Sequence, residues 1–162
     1  MLRLPCLSLT LWLVTLTATA QGMVPRGECS LQRVSDGDSG ALFCDGREVP
    51  FRLGGVDAPE SNQAHGADSR EAMRARIQGK QLKVREVGRP SYGRAVVAIT
   101  VDGGDLAAAL VREGAVWCEP RYPSVANCSE IERGARSEGR GLWAAPAPQP
   151  PWEFRRFGAR AR

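Results

Sequence analysis

The chain reads as an α+β domain, mainly β, in which a small five-stranded barrel is combined with about three helices. Three observations predict this. Short β-rich runs separated by Gly- and Asp-containing turns occupy the stretch from Leu31 to Val101. Segments with apolar residues three and four apart lie among and after them. A length of 162 residues suits one domain with a tail, and it suffices to bury a real core.

Leu31 to Val34, Gly40 to Cys44 and Val49 to Val56 read as the first three strands, with Ser35-Asp36-Gly37-Asp38 and Asp45-Gly46 as turns. Asp68 or Ser69 is placed to cap a helix that runs to Ile77, buries Met73 and Ile77, and stops at Gly79. Gln81 to Val87 alternates polar and apolar side chains, and Ala95 to Val101 is apolar enough for a buried strand. Asp102-Gly103-Gly104 turns the chain into a short helix capped by Asp105, with Leu106, Leu110 and Val111 inward and Gly114 as its stop. A third helix is expected from Ser124 to Glu138, with Cys128, Ile131 and Ala135 facing inward and Gly134 weakening it by about 1 kcal/mol. Five strands interrupted by helices fit a small closed barrel such as the oligonucleotide-binding (OB) fold, expected here in a partly open form. From Ala144 the composition changes to a Pro-rich extended spacer, followed by an arginine-rich, aromatic end from Trp152 to Arg162.

The first twenty residues are a separate object. Met1-Leu2-Arg3 is a short positive start, Leu4 to Thr17 is uncharged and Leu-rich, and Ala18-Thr19-Ala20 offers the small residues read by a signal peptidase. The apolar run is shorter than the roughly 20 residues a membrane-spanning helix needs. Export to the periplasm or exterior with cleavage after Ala20 is therefore expected, with no membrane attachment afterwards. The domain then occupies 21–143 and the tail 144–162.

Cleavage removes Cys6 and leaves Cys29, Cys44, Cys118 and Cys128, an even number that implies disulfides in an oxidising compartment. If Val34 faces Ser39 across a tight turn, equal index sums put Cys29 opposite Cys44, and Cys118 and Cys128 remain as the second pair. A four-cysteine zinc site is the competing arrangement, but its paired CxxC spacing is absent. A formal charge of +4 suits a polyanionic partner without requiring one.

Three pieces carry chemistry. They are Asp36-Gly37-Asp38-Ser39 in a turn, Arg52 through Asp57-Ala58-Pro59-Glu60 along a strand and its loop, and Tyr92-Gly93-Arg94 entering a later strand. Each alone has an ordinary structural explanation, as a turn, an ion pair and a hairpin. In this order and spacing they resemble the staphylococcal nuclease-like (thermonuclease) family, over about Val34 to Trp143 and including the closing Gly-Leu-Trp.

The resemblance implies calcium-dependent, sugar-nonspecific hydrolysis of DNA and RNA, leaving 3′-phosphates and 5′-hydroxyls. Phosphodiester hydrolysis needs a cation to offset charge, a base for water, and donors for the phosphorane oxygens. Asp38 and Asp57 offer hard oxygens suited to Ca²⁺, with Mg²⁺ second. By resemblance Ala58 adds a backbone carbonyl, Glu60 is the general base, and Arg52 and Arg94 bind phosphate through planar bidentate forks. Tyr92 and Tyr122 match substrate-side tyrosines or pack against the barrel. Contacts mainly to phosphate and stacked bases give little sequence selectivity. Single strands are the expected substrate, and a monomer is the expected state.

Pro90 and Ser91 stand where the family often has Asp and then Lys or Arg, which predicts a weaker grip on a terminal phosphate. Ser39 for Thr keeps the hydroxyl. His65, the only histidine, is expected to order its polar loop rather than bind metal. Trp143 and Trp152 are expected in the core and in tail docking. The arginines Arg155, Arg156, Arg160 and Arg162 either attract nucleic acid or form a solvated tail. The rival readings are a non-catalytic nucleic-acid-binding OB-fold protein of the cell envelope, and an envelope protein whose acidic cluster binds calcium to organise loops.

Overall fold

Strand β1 (Glu28–Val34) turns through Asp36 into β2 (Ser39–Cys44), which turns through Asp45-Gly46 into β3 (Arg47–Leu53). The computed structural model describes residues 24, 28–121 and 124–160, with side chains of the last helix as far as 157. The expected leader, 1–20, and Tyr122 lie outside the described residues. After β3 come β4 (Val56–Asp57), α1 (Gly66–Ile77), β5 (Leu82–Glu86), β6 (Ala95–Val101) and β7 (Gly104–Asp105). Helix α2 (Leu106–Arg112), β8 (Trp117–Cys118), α3 (Cys128–Ser137), a 3-10 turn (Gly141–Ala144) and α4 (Pro151–Arg160) complete the order.

Strands β3-β2-β1-β5-β6 form the barrel in that order, and β3 returns to pair with β6. That closing contact is parallel and joins Phe51 to Ala95, Arg52 to Val96 and Leu53 to Val97. The barrel is thus closed rather than partly open. Closure removes the unpaired edges that an open sheet of this size would expose. Phe51, Leu53, Val97 and Ile99 point inward and are at most 1% exposed, capped by Met73 and Ile77 of α1 and by Leu106 and Leu110 of α2. Alternation then puts Arg52 on the outer face of β3, where a charged side chain belongs.

The first hairpin pairs the expected cysteines by a different route. Val34 faces Gly40, not Ser39, and a bulge between Leu31 and Arg33 shifts the register back so that Cys29 faces Cys44. The disulfides are Cys29–Cys44 and Cys118–Cys128, so no thiol of the four remains for zinc. The third predicted strand is divided, because Gly54-Gly55 turns the chain between β3 and β4.

Helix α1 starts before its expected caps. His65, in the left-handed region at φ 64°, occupies the cap position, and Asp68 and Ser69 lie inside the first turn. Gly66 is required there, since a Cβ would lie 2.2 Å from the Glu60 carbonyl oxygen. Asp105 does cap α2: its Oδ1 accepts the Ala108 N–H at 2.8 Å, a contact worth about 1 kcal/mol. Helix α3 begins at Cys128, four residues later than expected from Ser124. The Pro-rich segment does not lead into an irregular tail, because 151–160 form a fourth helix beyond the three expected.

Candidate active site

The site is built on the outer face of the barrel at the β3–β6 seam. The turn before β2 is organised by Asp36, whose Oδ1 accepts the Asp38 N–H at 3.0 Å, the Ser39 N–H at 2.7 Å and the Ser39 hydroxyl at 2.8 Å. Asp36 is therefore a turn-building carboxylate, and Asp38 is the one presented to the site. Gly37 lets this turn lie against α1: a Cβ there would meet Ser69 Oγ at 1.8 Å. The Asp38 carbonyl accepts the Leu53 N–H at 2.7 Å, tying the turn to the end of β3.

Asp38 and Asp57 converge on Arg52. Nη2 of Arg52 lies 2.7 Å from Asp57 Oδ1 and 3.3 Å from Asp38 Oδ2. Asp38 Oδ2 also accepts the Ala58 N–H at 3.1 Å, which fixes Ala58 beside the pair. Both aspartates are nearly inaccessible, at 4% and 1% exposure. Burial pushes the Asp38 carboxyl well above the ordinary carboxylate range, with Arg52 offsetting part of that and the negative charges of Asp36 and Asp57 adding to it. Two buried carboxylates sharing one arginine nitrogen form a site with more negative charge than that arginine neutralises.

Glu60 is held by its loop. Its N–H donates to Gln63 Oε1 at 3.1 Å, and its carbonyl accepts the Gln63 N–H at 2.9 Å. Gln63 is itself buried, and its Nε2 donates to the Gln149 carbonyl at 2.6 Å. Sequence reasoning missed Gln63, because an isolated glutamine in a polar loop carries no pattern.

Arg94 precedes β6, hydrogen-bonded through its backbone to Ser91 across the Tyr92-Gly93 turn. Continuing the strand alternation back one step puts Arg94 on the face of Val96, the register partner of Arg52. Arg52 and Arg94 therefore share the outer face at the seam, but among the described residues no hydrogen bond or ion pair joins Arg94 to the acids. Tyr92 is 95% exposed, so it does not pack against the barrel. His65 lies in the loop, with Nδ1 3.6 Å from Asp68, and takes no part in the acidic cluster.

The largest departure from expectation is Arg155 on α4. Its Nη2 lies 2.7 Å from Asp57 Oδ2, and its Nη1 lies 2.7 Å from Glu60 Oε1 and 3.2 Å from Asp57 Oδ1. The hydrogen bond to Asp57, then that to Glu60, raises the guanidinium pKa further above its already high value despite partial burial. Pro151 at the first helical position and Glu153 in the first turn are start signals that could have announced this helix. Its docking partner is set elsewhere. Strand β8 pairs with β4 so that Trp117 faces Asp57, and Trp152 packs edge-on against Trp117 with centroids 6.4 Å apart. Trp143 meets Trp117 at 5.3 Å, with the Arg136 guanidinium 3.7 Å from the centre of its ring.

Among the described residues no three His, Cys, Asp or Glu side chains form a ready metal cage. The donor set nevertheless fits a hard divalent cation: two buried carboxylates converge, and their oxygens match Ca²⁺ or Mg²⁺ chemistry. Asp38 and Asp57 would hold such an ion.

Comparison with known proteins covers most of this architecture. The staphylococcal nuclease homologue family matches residues 50–145, which include Arg52, Asp57, Glu60 and Arg94 but stop before Arg155. A probable staphylococcal-like nuclease of Oryza sativa subsp. japonica is 40% identical over 110 residues, 68% of this chain and 33% of its own length. An uncharacterized endonuclease of Escherichia coli is 34% identical over 124 residues, 76% of this chain and 81% of its own. A micrococcal nuclease of Shigella flexneri is 32% identical over 147 residues, 84% of this chain and 83% of its own. The chain thus spans about a third of the rice protein and about four-fifths of the bacterial ones. On the strength of the family match and the bacterial relatives, together with the closed barrel that carries the site, the chain belongs to the staphylococcal nuclease homologue family.

Proposed function

We infer that the protein is an exported, calcium-dependent nuclease that hydrolyses phosphodiester bonds in DNA and RNA without sugar selectivity. The observation that carries this reading is the convergence of buried Asp38 and Asp57 on Arg52, with Glu60 bridged to the same cluster. A cation bound by these aspartates supplies charge compensation for the phosphate under attack.

The remaining work falls to the chain. The Glu60 carboxylate takes a proton from the attacking water, whose oxygen forms a bond to phosphorus as the bond to the 5′ oxygen breaks. The departing 5′ oxygen takes a proton from solvent water and Glu60 returns its own proton to solvent, leaving a 3′-phosphate and a 5′-hydroxyl. Arg52 donates to phosphate oxygens whose charge grows in the transition state, and Arg94 does so from the neighbouring strand. Tyr92, fully exposed beside Arg94, is available to stack on a base, which favours single strands. Two disulfides accord with an oxidising compartment, and no helix among the described residues is long and apolar enough to cross a membrane.

The test uses the chain from Gln21 onward, incubated with DNA and with RNA in Ca²⁺, in Mg²⁺ and in chelator. Calcium-dependent cleavage of both polymers is expected, with 5′-hydroxyl ends. Binding of either polymer without cleavage, by folded protein in saturating cation, would leave a non-catalytic binding barrel instead.

A further inference from the structure

Glu60 and Asp57 are held by a guanidinium from outside the barrel. Arg155 spans both oxygens of Asp57 and one of Glu60, while Arg52 approaches Asp57 from the barrel side. Arg155 Nη1 donates to the Glu60 carboxylate at 2.7 Å. In this arrangement neither acid is ready for the chemistry assigned to it. A carboxylate paired with arginine is a poorer base, and one filled by a bidentate fork is a poorer cation ligand.

Charge decides where that guanidinium belongs during the reaction. Asp38, Asp57 and Glu60 contribute three negative charges, and Arg52 and Arg94 contribute two positive ones. With a divalent cation the site reaches a single positive charge, whereas a phosphorane carries about two negative charges. Arg155 supplies the missing one. Its anchoring does not depend on the acids, because Trp152 rests on Trp117 and the Gln149 carbonyl is held by Gln63, the residue that also holds the Glu60 loop. The helix can therefore stay docked while the side chain, 41% exposed and flexible along its stem, changes partner.

We propose that Arg155 is a third substrate-binding arginine, held by Asp57 and Glu60 in the free protein and passed to a non-bridging phosphate oxygen when cation and nucleic acid enter. This assignment rests on the nuclease reading above. It makes the C-terminal helix part of the active site rather than a tail, and it makes Arg155 a competitor of the cation until substrate arrives.

The experiment compares wild type, Arg155→Gln and Arg155→Lys by two readouts. Calorimetric titration of metal-free protein with Ca²⁺ should show Arg155→Gln binding several-fold more tightly than wild type, because the competing cation is gone. Steady-state cleavage of a single-stranded oligonucleotide should show kcat/KM falling about 10²-fold in the same variant, the typical loss for one preorganised donor. Arg155→Lys should fall between, keeping charge but losing the fork, and its melting temperature checks that the fold is intact. An Arg155→Gln variant that cleaves as fast as wild type overturns the assignment. One that cleaves faster makes the helix an inhibitory plug, and unchanged Ca²⁺ affinity removes the competition. Wild type without metal-dependent cleavage would instead sink the nuclease reading, so the two failures are distinguishable.

Discussion

Two regions each bring an arginine to Asp57, and they do so by different physics. Arg52 sits in the middle of the barrel seam, where β3 pairs with both β2 and β6, and its position follows from register. Arg155 arrives on a terminal helix, held by an edge-on tryptophan contact and one side chain to carbonyl hydrogen bond. The seam cannot release its arginine without opening the barrel, whereas the helix can. A site assembled from one rigid and one detachable cation is suited to exchanging a bound charge for an incoming one.

The largest expected effects lie where the comparison touches chemistry. Glu60→Gln should lower turnover by about 10²–10⁴-fold, the usual range for losing a general base, with melting temperature and Ca²⁺ binding kept. Normal turnover in that variant would move the base elsewhere. On the rigid side, Arg52→Ala should destabilise the fold by about 3–5 kcal/mol, because it leaves buried carboxylates with reduced compensation. Chemical denaturation measures this, and added Ca²⁺ should restore part of the loss.

Smaller effects probe what holds each region. Removing the Cys118–Cys128 disulfide as a double Ser variant should cost about 3 kcal/mol, and with it the tether between β8, which seats Trp117, and α3. Trp152→Ala should cost only about 1 kcal/mol of global stability, since the ring is 40% exposed and edge-packed. Its trypsin cleavage after Arg155 or Arg156 should nevertheless accelerate well before the barrel unfolds. Cleavage no faster than in wild type would mean the helix is anchored some other way.

The smallest effect is one of pH. Glu119, buried next to β8, is held below its usual carboxylate range chiefly by the Arg121 side-chain hydrogen bond, at 2.6 Å from Nη2. Its folded pKa lies below the unfolded one, so the pair stabilises the fold above the unfolded value, and that contribution is lost as pH falls through the folded value. Glu119→Gln should therefore flatten the acid side of a plot of melting temperature against pH, by a modest amount because Arg121 is mostly exposed.

The strands, the short capped helix at Leu106 and the acid and arginine pieces were legible because each has a local cause. Alternation, turn chemistry and a capping side chain act over a few residues, and β6 came out with the bounds its apolar run suggested. The cysteine pairing was legible as an outcome but not as a path. The bulge near Gln32 depends on the turn closing on Gly40, where a Cβ would lie 2.3 Å from the Arg33 carbonyl oxygen, and no index sum contains that. Gln63 was invisible because a hydrogen-bond hub is defined by its partners.

By itself the sequence determined a mainly β domain with two disulfides, and it marked Asp38, Arg52, Asp57, Glu60 and Arg94 as the candidate site. Tertiary structure alone decided that Asp38 and Asp57 share one arginine, that the barrel closes in parallel, and that the tail is a helix with Arg155 in the site. The reason is range. Propensity and spacing act between near neighbours, whereas the contact from Arg155 to Asp57 spans 98 positions and exists only after β4 and β8 have paired to seat Trp117 beneath Trp152.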